Sequence, residues 1–576
     1  MKKMKWLVVL VLLTALLVRV YKLAEIPAGI YYDEIDLAYQ ARSLIETGKD
    51  YRGSWSPFFV RSFNTDKTPI PVYMNIPAVV IFQTPEFQVR MTTALVGVLV
   101  VGLAMLLIWM WTKNKVVVIL TGLVFTMNPW LIQFSRIAFE AIYVLFFYLL
   151  FLVCFFNWLK QKKLRDYYLS IILLSLGVYV YRIMSLYVPL TFLIVGVIYF
   201  KEIWKVGIKH LLGGVILAGA IVLPFMYATT IGSADQTRIE QVSVFSDPLV
   251  PIFVIRGRED DSGDYTGEKI GSRPVWFSYI FHNKVVGWMI SLKNNYMKSI
   301  STEFLFAFGD ENLRQGMGKT GALLWIDIIG LGAGLFWLIK HLKEKKYQFL
   351  AAWLVTSPLP ADLTFDGATH ASRLIIMAIP LLLVIGIGWW RILKMMVNWK
   401  FGLVWISILG VAYIWVFIFV FHHYLIHFPL EASRWHGYGY KEAILKIDEV
   451  DDQYDKVLMT NSNDPFILPY LFWAKVSPAE VQTYGIEYGV ETVKGQRLDK
   501  YKMMSWSKVT EGYKLPHEMG KALKPGVLYM ISQQDAKGDF RPTKGDVPAG
   551  VKIIDYVPYP DNSEVAYYLI TKKSEN

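Results

Sequence analysis

Residues 30–40 read IYYDEIDLAYQ, and this stretch places two adjacent carboxylates, Asp33 and Glu34, among tyrosines rather than lysines. It follows closely on residues 6–21, an apolar run long enough to enter a membrane. The two acids follow that run by about a dozen residues, and no lysine or arginine lies between residues 30 and 40. The pair therefore requires a structural or a chemical reason.

The segment that carries the two acids has the pattern of a helix. From residue 33 to residue 47 the apolar side chains recur at helical spacing, and Gly48 follows. The pattern predicts an amphipathic helix that lies at the outer membrane interface and ends at Gly48. Acids at a helix start are stabilised by its free backbone amides and its dipole, so the pair could be a helix cap as well as a catalytic group.

The composition is that of a membrane protein. Of 576 residues, 54% are hydrophobic and only 18% are charged, whereas charged residues make up about a quarter of a typical soluble domain. The one cysteine, Cys154, lies in an apolar run, so no disulfide framework exists. The net charge of +12 falls largely in short loops between apolar segments, where it sets orientation in the membrane, and we do not expect a nucleic-acid partner.

Apolar runs predict a polytopic α-helical membrane protein with about eleven transmembrane helices. The runs are residues 6–21, 87–111, 116–134, 138–159, 167–181, 187–200, 210–230, 321–340, 347–360, 371–390 and 401–425. Because the first run lacks a small-residue cleavage site, we expect an uncleaved anchor.

The distribution of basic residues predicts the orientation. If the N-terminus is cytoplasmic, the loops on that side carry 19 Lys and Arg residues against three acids. The other side then receives all the long polar segments, including loops 22–86 and 231–320. The positive-inside rule selects this arrangement, which makes the chain a multi-pass protein of the cell membrane with its C-terminal domain outside the cytoplasm.

The chain divides into two predicted domains. Residues 1–425 form the transmembrane domain, and from 426 to 576 the composition changes to that of a soluble domain. Within the second part DKVLMT, VLYMIS and AYYLIT are predicted strands, and DPFILPYLFWAK is a predicted helix. The C-terminal part is thus expected to be an extracytoplasmic α/β domain.

Several stretches resemble one family of membrane enzymes. YYDEIDLAYQARSLIETGKD, followed by RSFNTDKTPIPVYMNIPAVVIF, is similar to the first external loop of the GT-C superfamily. The nearest group is the protein O-mannosyltransferases and aminoarabinose transferases, which use polyprenyl-phosphate sugars. Softer similarities are NPWLIQFSRIAFEA, FLFAFGDENLRQG and THASRLIIMAIP. The resemblance implies a GT-C-like transmembrane catalytic domain.

The resemblance also implies a catalytic base. The first acid of the pair in that loop is the proposed base of the family, and this role carries over to Asp33, with Glu34 either positioning it or contacting a different partner. The chemistry agrees, because a sugar on a lipid phosphate has a good leaving group and the remaining needs are an activated acceptor hydroxyl and a neutralised phosphate.

Cations on the predicted outer side are candidates for the lipid phosphate. Short external turns carry Arg136, Arg182 and Arg373, and a planar guanidinium suits bidentate phosphate binding. Each could equally snorkel to lipid headgroups. Lys67 belongs to the segment Asp66–Lys67–Thr68–Pro69, where relatives often have a proline in place of the threonine.

Three further residues, Asp66, Glu140 and His370, are candidates for shaping the cavity or holding a cation. No metal ligand set is identified, so a divalent cation is a possible cofactor only. No nucleotide-binding glycine motif precedes a helix, which favours a lipid-linked donor.

The predicted function is an inverting transfer of a sugar from a polyprenyl phosphate to a protein, lipid or cell-wall polymer acceptor outside the membrane. One alternative is a transporter or flippase for lipid-linked sugars, although few charges lie in the apolar spans where such proteins usually have them. Another is an inactive assembly protein that binds glycan, and the presence of Asp33 argues against it.

Overall fold

The computed structural model describes residues 2–63, 66–231, 242–261, 276–462, 467–484, 500–514, 517–536 and 545–574. The described chain is mostly helical, with a small sheet near its C-terminal end. The predicted fold class, a polytopic helical protein with a C-terminal α/β domain, is confirmed in these terms.

In chain order the helices are α1 Lys2–Val20, α2 Tyr32–Thr47, α3 Pro69–Ile81, α4 Pro85–Thr112, α5 Lys115–Met127, α6 Pro129–Arg136, α7 Ala141–Gln161, α8 Leu164–Ser175, α9 Met184–Ile198, α10 Phe200–Trp204, α11 Ile208–Ile231, α12 Leu249–Asp261, α13 Ser278–Phe281, α14 Lys284–Ser299, α15 Asp327–Lys340, α16 Lys345–Thr356, α17 Leu359–Asp362, α18 Ala378–Met396, α19 Gly402–Ile426, α20 Phe428–Glu431, α21 Tyr440–Val450, α22 Ile467–Trp473, α23 Pro478–Tyr484, α24 Trp506–Val509 and α25 Met519–Ala522. The strands are β1 Lys456–Thr460, β2 Tyr501–Met504, β3 Val527–Ser532, β4 Val551–Pro558 and β5 Val565–Lys572.

Each of the eleven predicted apolar runs contains a helix. By length and composition, five helices of the described ranges can cross a membrane, or six if α5 and α6 form one bent span. These two helices meet at an angle of 57°. The bend has a local cause, because Pro129 disfavours helical geometry at Asn128, which is extended (φ −71°, ψ 125°). The chain is a multi-pass membrane protein, and the count of eleven spans stays a prediction.

Two compact units make up the chain. The first unit comprises Met1–Arg19, Leu95–Phe134 and Glu140–Val420, and the second comprises Val20–Ala94, Ser135–Phe139 and Phe421–Asn576. The predicted domain boundary at residue 425 stays a prediction. The compact grouping places residues 20–94, which include loop 22–86, in the same unit as the sheet.

The first unit contains a helix pair whose close contact depends on glycine. A Cβ at Gly334 of α15 would lie 2.1 Å from the carbonyl oxygen of Val384 in α18. A Cβ at Gly388 of α18 would lie 1.8 Å from the carbonyl oxygen of Gly330. Small residues at such positions let helix backbones approach closely, as is usual between membrane helices.

The second unit contains the five-stranded sheet, with strand order β2-β1-β3-β5-β4. β1 pairs in parallel with β2 and β3, whereas β5 pairs antiparallel with β3 and β4. The three predicted strands correspond to β1, β3 and β5, and the predicted helix corresponds to α22, so these predictions are confirmed. The short strand β2 and the strand β4 were not predicted.

α2 is part of the core of the second unit. The predicted helix and its end are confirmed, since Gly48 has the left-handed conformation (φ 72°) that glycine adopts readily. Most of its side chains are buried in protein, including polar ones, so it is more than a surface amphipathic helix. Its residues Ile35 and Tyr39 share an apolar cluster with Ile444 and Leu468. This shared cluster is the physical reason why the first loop groups with the sheet.

Candidate active site

Asp33 and Lys67 form an ion pair in the second unit. Asp33 is the second residue of α2, and Lys67 is held by an antiparallel bridge to Val60, with backbone N···O distances of 2.8 and 2.9 Å. The Asp33 side chain is 32% exposed and that of Lys67 is 10% exposed. Two predicted site residues, far apart in sequence, are therefore in contact, and the acid of the pair is the one that a substrate can reach.

Glu34 has the opposite environment, because it is completely buried in a bidentate pair with Arg90 of α4. The two guanidinium–carboxylate distances are 2.9 and 3.0 Å. The carboxylate also accepts from the backbone N–H of Ala138 at 2.9 Å, and from that of Tyr31, as in a capping box. Glu34 thus ties together the start of α2, α4 and the segment that follows α6.

Electrostatics keep Glu34 ionised in this buried position. Burial by itself would raise the pKa of Glu34, but the charge and the hydrogen bonds of Arg90, together with the neighbouring His436, lower the pKa to about 2. Because the imidazole Nδ1 of His436 lies 4.0 Å from the carboxylate, Arg90 contributes more than His436 to lowering the pKa of Glu34. The geometry favours a positioning role for Glu34, as one of the two roles that the sequence left open.

Arg90 was missed by sequence reasoning. It also donates to the carbonyl oxygens of Pro27 at 2.9 Å and Gly29 at 2.6 Å, so it fixes the chain that leads into α2. The available signal was a single arginine inside the apolar run 87–111, since buried charges in such runs almost always have a partner.

Asp36 is a second residue that sequence reasoning did not assign to the site. It lies one helical turn after Asp33 and is fully buried. Its Oδ2 accepts a hydrogen bond of 2.6 Å from the hydroxyl of Ser62, which itself accepts one of 3.1 Å from Tyr51. Burial raises the pKa of Asp36 to about 6, partly opposed by Lys67. A carboxyl group that changes charge near neutral pH thus lies beside the Asp33–Lys67 pair.

Two other predicted site residues, Asp66 and Arg136, belong to the second unit. Asp66 accepts a hydrogen bond from the backbone N–H of Ser62 at 3.3 Å. Arg136 is buried, and its guanidinium donates to the carbonyl oxygens of Lys22 at 3.3 Å and Ile26 at 3.0 Å. It also lies over the ring of Tyr424, 5.4 Å from the centroid. These contacts favour an anchoring role for Arg136, and its binding of a phosphate stays a prediction.

The softer stretches of the family resemblance contact one another within the first unit. Trp130 donates to the carbonyl oxygen of Ala371 at 3.1 Å, and Asp310 accepts from the backbone N–H of Ala371 at 2.8 Å. Gln133 donates to the carbonyl oxygen of Arg314 at 3.1 Å. Residues that are distant in sequence thus build one polar cluster, the first-unit cluster.

Arg373 and His370 belong to this first-unit cluster. Arg373 pairs with Asp366 through both guanidinium nitrogens, one of them at 3.2 Å, and donates to the hydroxyl of Thr364 at 2.7 Å. Its side chain is 14% exposed, and that of Asp366 is 42% exposed. His370 lies 3.0 Å from the hydroxyl of Ser372. The arginine is therefore oriented as a planar fork that already holds an anionic group.

Arg182 and Glu140 also lie in the first unit. Arg182 is half-buried in the turn that precedes α9, and Glu140 is the residue before α7. Their predicted roles, phosphate binding for Arg182 and shaping the cavity for Glu140, stay predictions.

The described ranges contain no group of three or more His, Cys, Asp and Glu side chains placed to hold a metal ion. Two carboxylates near the proposed base have protein partners: Asp33 pairs with Lys67, and Asp36 accepts a hydrogen bond from Ser62. A ligand set for the possible divalent cation is thus not identified among these residues.

Comparisons with known proteins concern part of the sequence and the fold. Residues 9–235 match the family model described as dolichyl-phosphate-mannose-protein mannosyltransferase. The fold is similar to that of ArnT from Cupriavidus metallidurans, solved with undecaprenyl phosphate bound, at 12% identity and a TM-score of 0.53, over 99% of this chain and 98% of that one. It is also similar to an oligosaccharyltransferase from Archaeoglobus fulgidus, solved with a tethered acceptor peptide, at 12% identity and a TM-score of 0.50, over 92% of this chain and 69% of that one.

A search of curated protein sequences finds no match. The structural similarities are at low identity and so concern the fold, while the family match concerns the sequence of residues 9–235. Together they confirm the predicted resemblance: the fold is similar to that of these GT-C enzymes, and residues 9–235 match the protein mannosyltransferase model.

Proposed function

We propose that this protein transfers a sugar from a polyprenyl phosphate to an acceptor hydroxyl on the outer side of the membrane, with Asp33 as general base. The observation that carries the proposal is the contrast between two neighbouring acids. Asp33 is partly exposed and paired with Lys67, whereas Glu34 is buried against Arg90. One acid is partly exposed to a substrate, while the other holds the helix start in place.

The chemical step needs one proton acceptor and a way to neutralise phosphate charge. The acceptor oxygen attacks the anomeric carbon as Asp33 takes its proton, and the bond from that carbon to the phosphate oxygen breaks, so that the lipid phosphate leaves as an anion. Attack opposite the leaving group inverts the anomeric centre. The ammonium of Lys67 stabilises the ionised, proton-accepting form of Asp33 by charge attraction.

The donor phosphate would be bound by basic residues. Arg373 is the best supported of the predicted ligands, because its guanidinium already holds a carboxylate in the bidentate manner that also suits a phosphate. Arg182 and Lys67 remain predicted ligands, and Arg136 is a weaker one because its guanidinium is bonded to backbone carbonyls. The relatives support a lipid-linked donor, since one of them was solved with undecaprenyl phosphate.

The acceptor is a protein, a lipid or a cell-wall polymer. The name of the matching family and the peptide in the oligosaccharyltransferase structure support a protein among these. The excess of basic residues on one set of loops supports an outer location of the site.

The test is transfer by the purified protein from a panel of polyprenyl-phosphate sugars to acceptor mixtures, with the released polyprenyl phosphate as the readout. We expect release with at least one donor, and loss of that release when Asp33 is replaced. A parallel assay in liposomes separates the alternatives. Movement of the lipid-linked sugar across the bilayer without release of polyprenyl phosphate would identify a flippase and overturn the proposal.

A further inference from the structure

Asp36 is a buried carboxyl group whose position the proposed reaction does not yet explain. Its side chain is completely buried, and one oxygen, Oδ2, accepts from Ser62 at 2.6 Å. The other oxygen, Oδ1, has no hydrogen-bond partner within the described part of the chain. A half-satisfied buried carboxyl is costly and in native proteins usually has a functional reason.

Among the described residues, the groups that act electrostatically on Asp36 include both members of the proposed catalytic pair. The charged ones are Lys67 and Asp33, and the other polar ones are Ser62 and Tyr51. Asp33 and Asp36 are three residues apart on α2, the spacing at which helix side chains are neighbours. Lys67 is nine-tenths buried, so its charge is poorly screened by water. Two carboxyl groups therefore share the field of one ammonium group.

We propose that Asp36 is a positioning residue that sets the basicity of Asp33 through the lysine they share. This inference rests on the proposed function. When Asp36 is ionised, it draws on the charge of Lys67 and repels a second negative charge, so Asp33 holds a proton more strongly and is a better base. When Asp36 is protonated, it no longer competes for the charge of Lys67 or repels the charge of Asp33, and Asp33 becomes a weaker base.

Asp36 changes its charge close to neutral pH. Burial raises the pKa of Asp36 to about 6, while Lys67 and Ser62 favour its ionised form and Asp33 disfavours it. As the pH rises through this value, Asp36 adds a negative charge beside the Asp33–Lys67 pair. The basicity of Asp33 is then increased at neutral pH, although the Asp33 side chain is partly exposed.

The kinetic test compares pH profiles of kcat/KM between pH 5 and 8, with the donor that the transfer assay identifies. Wild type should show an increase of about threefold to tenfold centred near pH 6, as expected when one charge at close range shifts a general base. Asp36→Asn should lack this step and remain near the low-pH level. An Asp36→Asn profile that keeps the wild-type step would overturn the inference.

Two controls make the result specific. Ser62→Ala removes the hydroxyl that stabilises ionised Asp36, so its step should move to higher pH; an unmoved step would contradict the inference. Asp50→Asn alters a different buried aspartate, which follows α2 in the chain. Asp50 accepts hydrogen bonds from the backbone N–H groups of Arg52, Ser54 and Arg61, and not from Ser62. This variant should keep the wild-type step even if stability falls.

A measurement without substrate covers the case of an inactive variant. In infrared difference spectra between pH 5 and 7, the loss of protonated-carboxyl absorption should be smaller in Asp36→Asn than in wild type by one carboxyl group, since the other buried carboxyl groups contribute equally to both spectra. Equal spectra for both proteins would overturn the inference. Asp33→Asn separates the two proposals: if it retains full turnover, the proposed base is wrong, whereas failure of Asp36→Asn alone leaves the proposed function standing.

Discussion

At the scale of single residues, Asp33 and Glu34 are adjacent in sequence and opposite in environment. Successive residues of a helix point about 100° apart, so neighbouring acids at a helix start face different surroundings. Glu34 faces the buried Arg90, and Asp33 faces Lys67 near the surface. The helix therefore separates a buried, anchoring acid from the partly exposed acid that we propose as the base, and Asp36 adds a third acid one turn later.

Asp36 should reduce the stability of the folded protein at neutral pH. Its pKa is raised from 3.8 to about 6, so the folded protein binds its proton more strongly than the unfolded chain does. Stability from this group is complete below pH 3.8 and falls as the pH rises through 6, by about 3 kcal/mol in total. Relative to wild type, Asp36→Asn should gain that amount between pH 4 and 7.5 in unfolding measurements. A pH-independent difference would show that Asp36 does not titrate in this range.

Arg373 should contribute to donor affinity. Arg373→Ala is expected to weaken binding of a polyprenyl phosphate by ~1.5–3 kcal/mol, the worth of a charge-assisted contact. Arg373→Lys should restore binding only in part, because lysine lacks the planar fork that pairs with Asp366. Lys552 of β4 is exposed and lies 179 positions after Arg373 in the sequence, so Lys552→Ala serves as a charge-matched control. Unchanged affinity in Arg373→Ala would assign this arginine to structure alone.

At the scale of elements, α2 links the proposed site to the C-terminal sheet. Ile35 and Leu37 lie in one apolar cluster with Leu468 of α22 and Met459 of β1. The hydroxyl of Tyr39 donates to the carbonyl oxygen of Val476 at 3.1 Å. The sheet domain therefore supports the helix that presents Asp33, in addition to any role of its own.

Core mutations in the sheet domain should test this link. Leu468→Ala and Ile531→Ala each remove a fully buried aliphatic side chain and should cost ~2–5 kcal/mol of stability. Leu468 belongs to the cluster shared with α2, whereas Ile531 belongs to a separate cluster on the sheet. Only Leu468→Ala should also lower the turnover of the folded protein. Equal effects of the two variants on turnover would mean that the sheet does not position α2.

The elements show what local patterns can predict. The apolar runs, α2 with its end at Gly48 and three of the strands follow from periodicity, because each depends on neighbouring residues only. β2 has only four residues, too few for a clear alternation. The pairing of Glu34 with Arg90 joins residues 56 apart in sequence, and no local pattern encodes such a contact. For the same reason the sequence indicated Asp33 and Lys67 separately, and only the fold brings them together.

At the scale of the whole molecule, charge and hydropathy predict a cytoplasmic and an outer set of loops. The predicted cytoplasmic loops carry 19 basic residues against three acids. Membrane insertion favours basic loops on the cytoplasmic side. Both the loop that carries Asp33 and the sheet domain then lie outside, where a lipid-linked sugar and an extracytoplasmic acceptor can meet.

This orientation predicts a labelling pattern. In a variant without the native cysteine, single cysteines at Trp55, Asp260 and Lys500 should react with an impermeant reagent in intact cells. Cysteines at Lys162 and Glu344, both exposed in the structure, should react only after the membrane is opened. Labelling of the last two positions in intact cells would reverse the orientation and place the proposed site on the wrong side.

The most direct test of the account is turnover by Asp33→Asn beside a matched variant of the same helix. The amide keeps the size of the side chain but cannot take the acceptor's proton, and general-base catalysis typically supplies ~10²–10⁴-fold. Glu46→Gln is the control, because Glu46 is 31% exposed and pairs with Arg42, much as the 32% exposed Asp33 pairs with Lys67. We predict that Asp33→Asn loses ~10²–10⁴-fold in turnover while donor binding and folding persist, and that Glu46→Gln remains close to wild type. Turnover by Asp33→Asn at the wild-type rate would contradict the assignment of Asp33 as the base.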